Sequence, residues 1–364
     1  MKIQRAYKTK LLVNNKEKTN LEACASAARF VYNWALADRK SVFESGGKPN
    51  KFEQKKRFNA TKDDFCSWIR DYPATIAQEE FDNVDRAYQN FFKRRKDGVG
   101  YPKFKSRFTS QKKFTLRGTV KIESDKVKLP GLGWLRLSES GYLPQQDAKI
   151  NFVSISEKAG EWYISLQVEI EIEEPEPAVN QPIGVDVGIK SLAVISDGKV
   201  FDNPKTLKKY TARMARLSRE LSRREKGGSN RQKTKDKIAK LHRKIANTRS
   251  NTLHEISSYT TKLKPSTIVL EDLNVKGMMS NGKLSKAMAD ASVSELSRQI
   301  TYKAAWNGIN VVKADRWYPS SKTCNHCGHV NKELTLSDRV WTCKNCNSVI
   351  DRDLNAALNL ASLA

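Results

Sequence analysis

The sequence predicts a multidomain α+β protein: a first strand leading into a small helical bundle, a compact antiparallel β-barrel, and an α/β domain that carries a cysteine-rich metal ribbon. Three observations carry that expectation. The apolar pattern changes period twice, from helical to alternating near residue 104, and then to strands interleaved with helices beyond residue 182. An acidic, proline-bearing linker at 170–182 separates the last two textures. Four of the six cysteines crowd into residues 324–346.

Taken in order, residues 1–12 alternate as a strand does. From about residue 18, Leu21, Cys24, Ala27, Ala28, Phe30, Val31, Trp34 and Ala35 recur at helical steps, with Asn20 as a candidate cap. A second helical stretch follows Pro73 through Phe81, Val84, Tyr88 and Phe91. Residues 113–123, 126–137 and 148–173 alternate as short strands, with a turn at KAGE (158–161). Beyond the linker come hairpin-like strands over 183–201, a long basic helical region, strand TIVLED (267–272), a helix near 291–307, strand INVVKAD (309–315), the cysteine cluster and a terminal helix.

The net charge of +26 destabilises a folded chain through self-repulsion unless a polyanion relieves it, and nucleic acid is the usual polyanion. No apolar run is long enough to span a membrane, and the basic N-terminus has no apolar core of a secretory signal. In a chain without such a signal, clustered cysteines point to metal rather than disulfides. Cys24 and Cys66, alone in apolar surroundings, read as buried inert thiols.

Three acidic motifs lie far apart. Asp186 sits in the buried-looking strand GVDVG, and Glu271 ends the apolar run IVLE. Asp351 and Asp353 enter the last helix, where a cap or the helix dipole accounts for an acid equally well. An acid in a buried strand is costly unless it is paired or binds metal. Carboxylates converging on two hard cations about 3.5–4 Å apart suit phosphodiester hydrolysis, and the charge excess supplies such a substrate.

Cys324-x2-Cys327, fifteen residues, then Cys343-x2-Cys346 has the spacing of a four-thiolate zinc site. Four thiolates close the coordination sphere, so the Zn2+ is structural, and His326 and His329 are superfluous as ligands. Between Lys205 and Arg249 stand 17 lysines and arginines against three acids. That segment reads as two helices joined at Gly227-Gly228, with stripes Met214/Leu217/Leu221 and Ile238/Leu241/Ile245. A solvated hairpin is the plain account; the sign bias favours a phosphate-contacting surface that includes Arg223 and Arg224. In residues 91–108, cations including Arg94, Arg95, Lys103, Lys105 and Arg107 interleave with aromatics able to stack on bases, although Phe91 and Phe104 suit core packing as well. Thr75 and Gln78, near the start of the helix after Pro73, are candidates for reaching base edges, with capping the competing role of Thr75.

The motifs GVDVGIK (184–190), VLEDLNVKGM (269–278), CNHCG…CKNC and DRDLNAALN (351–359) resemble the transposon-associated TnpB family, which is related to compact type V CRISPR nucleases; ARFVYNWAL (28–36) and GYPKFKSR (100–107) fit the same pattern. The resemblance implies an RNase H-like (RuvC) nuclease domain over 181–316 and 350–364 with an inserted zinc ribbon at 317–349. It implies a β-barrel wedge domain over 1–12 and 104–175, interrupted by a helical recognition domain over 13–103. It assigns Asp186, Glu271 and Asp353, rather than Asp351, as catalytic acids holding Mg2+, and the four cysteines as zinc ligands. The partners it implies are a guide RNA and a double-stranded DNA target beside a short motif, where base pairing rather than protein reads the sequence. The expected setting is a monomer in the cytoplasm of a bacterial or archaeal cell. A guided binder that no longer cuts, and a transposase, stand as alternatives.

Overall fold

The first helix starts earlier than the Asn20 cap suggested by the apolar pattern. In the structure, a computed structural model that describes residues 1–144, 148–282, 284–335 and 337–364, helix formation begins at Asn14. Asn14 Oδ1 accepts from the Glu17 amide at 2.9 Å and Glu17 Oε2 accepts from the Asn14 amide at 2.8 Å, a reciprocal box that satisfies two amides at the helix start. The described chain divides into two compact units, Met1–Ile172 and Glu173–Ala364. No described helix is long and apolar enough to cross a membrane.

In the first unit, strand β1 (Lys2–Leu12) leads into helices α1 (Asn15–Glu44), α2 (Lys51–Cys66) and α3 (Ala74–Arg94). Strands β2 (Lys113–Leu116), β3 (Lys121–Ile122), β4 (Lys126–Leu129), β5 (Gly133–Leu137), β6 (Lys149–Lys158) and β7 (Glu161–Glu171) follow. They form one seven-stranded antiparallel sheet in the order β2-β6-β7-β1-β5-β4-β3. Strand β1 stands at its middle and β2 and β3 at its ends, no β2–β3 pairing is present among the described residues, and residues of β2, β4, β5, β6 and β7 share one core. Helix α2 escaped the sequence reading because its apolar residues are too sparse for a stripe: only Gln54, Phe58 and Cys66 are buried. Helix α1 serves two cores. Leu21, Cys24, Ala25 and Ala28 pack onto the sheet, whereas Ala27, Val31, Tyr32, Ala35 and Leu36 pack against α2 and α3. Cys24 and Cys66 are both buried, and burial pushes the Cys24 thiol up to about 12.

The second unit holds strands β8 (Ile183–Asp186), β9 (Ser191–Ile195) and β10 (Val200–Asp202), then helices α4 (Thr206–Arg223) and α5 (Ser229–Lys262). Strand β11 (Thr267–Glu271), helices α6 (Val275–Ser280), α7 (Ser285–Ala291) and α8 (Val293–Trp306), and strand β12 (Asn310–Ala314) continue it. A ribbon of β13 (Val340–Thr342) and β14 (Val349–Asp351) precedes the last helix, α9 (Arg352–Ala361). The five-stranded sheet runs β10-β9-β8-β11-β12: the first three are antiparallel neighbours, and β11 lies parallel to both β8 and β12. Helices α4 and α5 pack through Leu217, Leu241 and Ile245, the stripes anticipated on either side of Gly227-Gly228.

Candidate active site

Parallel register brings two of the predicted acids together. Ile268, Val269 and Leu270 of β11 lie opposite Ile183, Gly184 and Val185 of β8, so the next residues, Glu271 and Asp186, leave the sheet side by side at the same end. The third acid arrives on α9, which packs on β8. A Cβ at Gly184 would lie 2.0 Å from the Ala357 carbonyl oxygen and 2.6 Å from the Ala361 amide, so only glycine admits the helix this close. The first turn of α9 carries Asp353. Asp351 is the cap of that helix, its Oδ1 accepting from the Leu354 amide at 2.9 Å, and it is exposed.

Asp186, Glu271 and Asp353 line one cleft of about 730 Å³. Lys190, Arg316, Lys322, Arg339 and Arg352 also line it, beside an apolar side made by Leu273, Met278, Met288 and Val293. Withdrawal from solvent pushes the Asp186 carboxyl up to about 8, with the Glu271 and Asp353 carboxylates adding to it and Arg352 and Arg339 opposing it. Burial likewise raises Glu271, against the Ser320 hydroxyl, which donates to its Oε1 at 2.7 Å, and against Arg352. Arg339 Nη1 lies 3.3 Å from Asp353 Oδ1. Asp272, the neighbour of Glu271, instead pairs with Arg316. An all-oxygen donor set in which Asp186 is raised by its two acidic neighbours fits a hard divalent cation such as Mg2+.

Ser320, Arg339 and Arg352 were not singled out from the sequence. Ser320 follows an unremarkable Tyr-Pro, and Arg339 lies in the ribbon, so only the fold connects them to the acids. Asn355 and Asn359 had a legible signal: two amides four residues apart on an otherwise apolar helix. Both are buried, and their Nδ2 groups donate to the Thr323 carbonyl at 2.7 and 2.6 Å, while Asn355 Oδ1 accepts from the Asn325 amide at 3.0 Å. They tie α9 to the loop that begins the ribbon.

The four predicted zinc ligands, Cys324, Cys327, Cys343 and Cys346, have sulfur atoms all within 4.8 Å of one another. Two matching turns place them. The Gly328 amide donates to the Cys324 carbonyl at 2.8 Å and the Asn347 amide to the Cys343 carbonyl at 2.9 Å, and both Gly328 and Asn347 have positive φ. The set fits Zn2+, which takes four thiolates tetrahedrally. His326 and His329 are exposed and outside the cluster.

Comparison with known proteins adds the lineage. Residues 165–282 match the family described as "Probable transposase", 294–360 a "Cas12f1-like, TNB domain", and 1–48 a "Helix-turn-helix domain" of the same transposon lineage. The chain is 33% identical to a Streptomyces pristinaespiralis protein named "Putative RNA-guided DNA endonuclease", over 98% of this chain and 89% of that one. It is also 33% identical to "Putative RNA-guided DNA endonuclease InsQ" of Escherichia coli K12, over 99% and 92%. The chain belongs to the TnpB family. A solved Cas12f1 complex with guide RNA and target DNA shares the fold of this TnpB-family protein, with a TM-score of 0.58 and 15% identity over 99% of both chains.

The nucleic-acid candidates of this TnpB-family chain separate by environment. Arg94, Arg95, Lys103, Arg107, Arg223 and Arg224 are exposed. Lys105 is not open to solvent in the same way: its Nζ donates to the buried Glu80 at 2.9 Å and lies 3.7 Å from the Tyr32 ring centroid, and its backbone is clamped by Asn33. That lysine fastens residues 104–107 to the helices, its ammonium already engaged by a carboxylate. Thr75 does not cap α3. Pro73 holds the cap position, and the Thr75 hydroxyl is buried without a partner among the described residues. Gln78 is exposed beside Lys55, Lys62 and Arg70. Phe104 is 59% exposed, which removes core packing as its role.

Proposed function

We propose that this chain is an RNA-guided DNA endonuclease that hydrolyses DNA phosphodiesters with Asp186, Glu271 and Asp353 after a guide RNA has paired beside a short DNA motif. The observation that carries the reading is the arrival of these three acids, from β8, β11 and α9, in one cleft rimmed by arginine and lysine. The names of its relatives support the RNA-guided part. The strand order, three antiparallel strands followed by two parallel ones, supports an RNase H-like domain over 181–316 and 350–364 with the ribbon at 317–349. Residues 1–12 with 104–175 then serve as the wedge, and 13–103 as the recognition helices.

In this reading the three carboxylates hold divalent ions, and Ser320 fixes the rotamer of Glu271 through its hydrogen bond. Bound Mg2+ supplies an activated water and stabilises the leaving oxygen. Lys190, Arg316 and Arg352 offer charge to the phosphates of the entering strand. The test is purification with RNA transcribed from beside the gene, followed by incubation with matched and mismatched DNA. Cleavage of matched DNA alone, requiring Mg2+ and abolished by Asp186→Ala with RNA and target binding retained, is the expected result. Binding without cutting, or cutting that ignores the guide, overturns the proposal.

A further inference from the structure

Of the seven tryptophans, Trp317 is the most exposed, at 85%, and it lines the same cleft as the three acids. Trp162 and Trp341, by contrast, are buried in their cores. So large an apolar face turned to water gains nothing in the isolated protein.

The segment that presents this ring is tightly braced. The Trp317 amide donates to Asp315 Oδ1 at 2.8 Å and the Tyr318 amide to the Asp315 carbonyl at 3.1 Å. On the near side, Arg316 pairs with Asp272, the residue next to Glu271. On the far side, Ser320 donates to Glu271 itself, and its carbonyl accepts from Asn359 Nδ2 at 2.7 Å. The loop is therefore anchored to β11 and to α9, the two elements that bring Glu271 and Asp353. A ring carried on a backbone so firmly anchored beside the acids, yet itself left open, can serve as a platform.

Charge says what the platform takes. Lys190, Arg316, Lys322, Arg339 and Arg352 line the cleft with the indole, a combination of cations for a backbone and a π-face for a base. Stacking on a side chain needs an unpaired base, because both faces of a base within a duplex are already covered.

We propose that Trp317 stacks on an unpaired base of the strand being cut and so holds that strand in the cleft beside Asp186, Glu271 and Asp353. The inference rests on the nuclease reading and adds the residue that seats the strand. Because stacking holds ground state and transition state alike, its loss is read in KM rather than in kcat.

The test compares wild type, Trp317→Ala and Trp317→Phe as RNA-loaded protein. Cleavage kinetics are measured on a short single-stranded DNA after activation by matched target. A second readout uses the same strand carrying 2-aminopurine in an Asp186→Ala background, where stacking quenches the probe without cleavage. Trp317→Ala is expected to raise KM about ten-fold or more with kcat nearly unchanged, and to abolish the quench; Trp317→Phe restores most of both. Melting temperature and zinc content should not move, since the side chain is outside the core. An unchanged KM in Trp317→Ala, a fall in kcat alone, or a Phe variant as defective as the Ala one overturns the stacking role. If instead Asp186→Ala in an otherwise wild-type chain still cuts, the acid-site reading itself fails, which separates the two.

Discussion

One added methyl group at Gly184 meets the backbone of α9 rather than a yielding side chain. With the Ala357 carbonyl 2.0 Å from the position of that carbon, the helix has to move away from β8. Overpacking of this kind costs about 1–3 kcal/mol, and here it also carries Asp353 away from Asp186. Gly184→Ala is therefore expected to lower the melting temperature and to reduce cleavage further than the stability loss explains, measured at a temperature where the variant is still folded. A milder change is expected at Glu295. The Arg298 guanidinium, donating through both Nε and Nη2, holds this carboxyl down at about 2, with help from Gln299. A depressed carboxylate adds stability above its ordinary pKa of 4.5 and loses it as pH falls towards 2. The pair is solvent-exposed, so Glu295→Gln is expected to cost only about 0.5 kcal/mol at neutral pH. Unfolding measured across pH should show the gap constant above pH 4.5 and narrowing below it. Asp186 and Glu271 were legible in the sequence because each ends an apolar strand, where burial makes an acid expensive. Ser320 and Arg339 were not: nothing local marks them, and their meaning comes from partners far away in the chain.

At the scale of elements, the ribbon and α9 behave as a coupled pair. The ribbon's own core consists of Cys324, Leu334, Trp341, Cys343 and Ile350, too few apolar groups to fold without metal. Asn355 and Asn359 tie α9 to that same loop, and β14 runs straight into the helix. Removing Zn2+ with a zinc-selective chelator, Mg2+ being kept in excess, is thus expected to abolish cleavage as well as to unfold the ribbon, although the ion is distant in role from the chemistry. Zinc release, monitored with a colorimetric metal indicator, should track loss of activity, and restored zinc should recover both. Retained activity in a zinc-free protein would show that the third acid is positioned by α9 alone. The cysteine spacing announced the ribbon from sequence. Helix α2 stayed hidden because its few buried residues make no stripe.

For the whole molecule, charge dominates. A net +26 on 364 residues ties affinity for nucleic acid to counterion release. DNA binding by the RNA-loaded protein is expected to fall about a thousand-fold or more between roughly 50 and 200 mM salt if six or more phosphates are neutralised. A flat salt response in a filter-binding or fluorescence titration would place recognition on base contacts instead. The acidic segment after residue 170 marked where the chain divides, because composition changes at a boundary even when the pairing of strands is invisible. What composition could not show is that the first strand belongs in the centre of its sheet. Strand β1 pairs with β7 from Lys2↔Glu171 to Lys10↔Tyr163, so its main partner is the last strand of the unit to be synthesised. At about 5–20 residues per second, the ribosome leaves β1 waiting for roughly ten to thirty seconds with both edges unpaired. Its charged residues, Lys2, Arg5, Lys8 and Lys10, discourage the pairing of one nascent chain with another during that interval. The same lysines and arginine that suit a nucleic-acid protein thus also protect it while it is still being made.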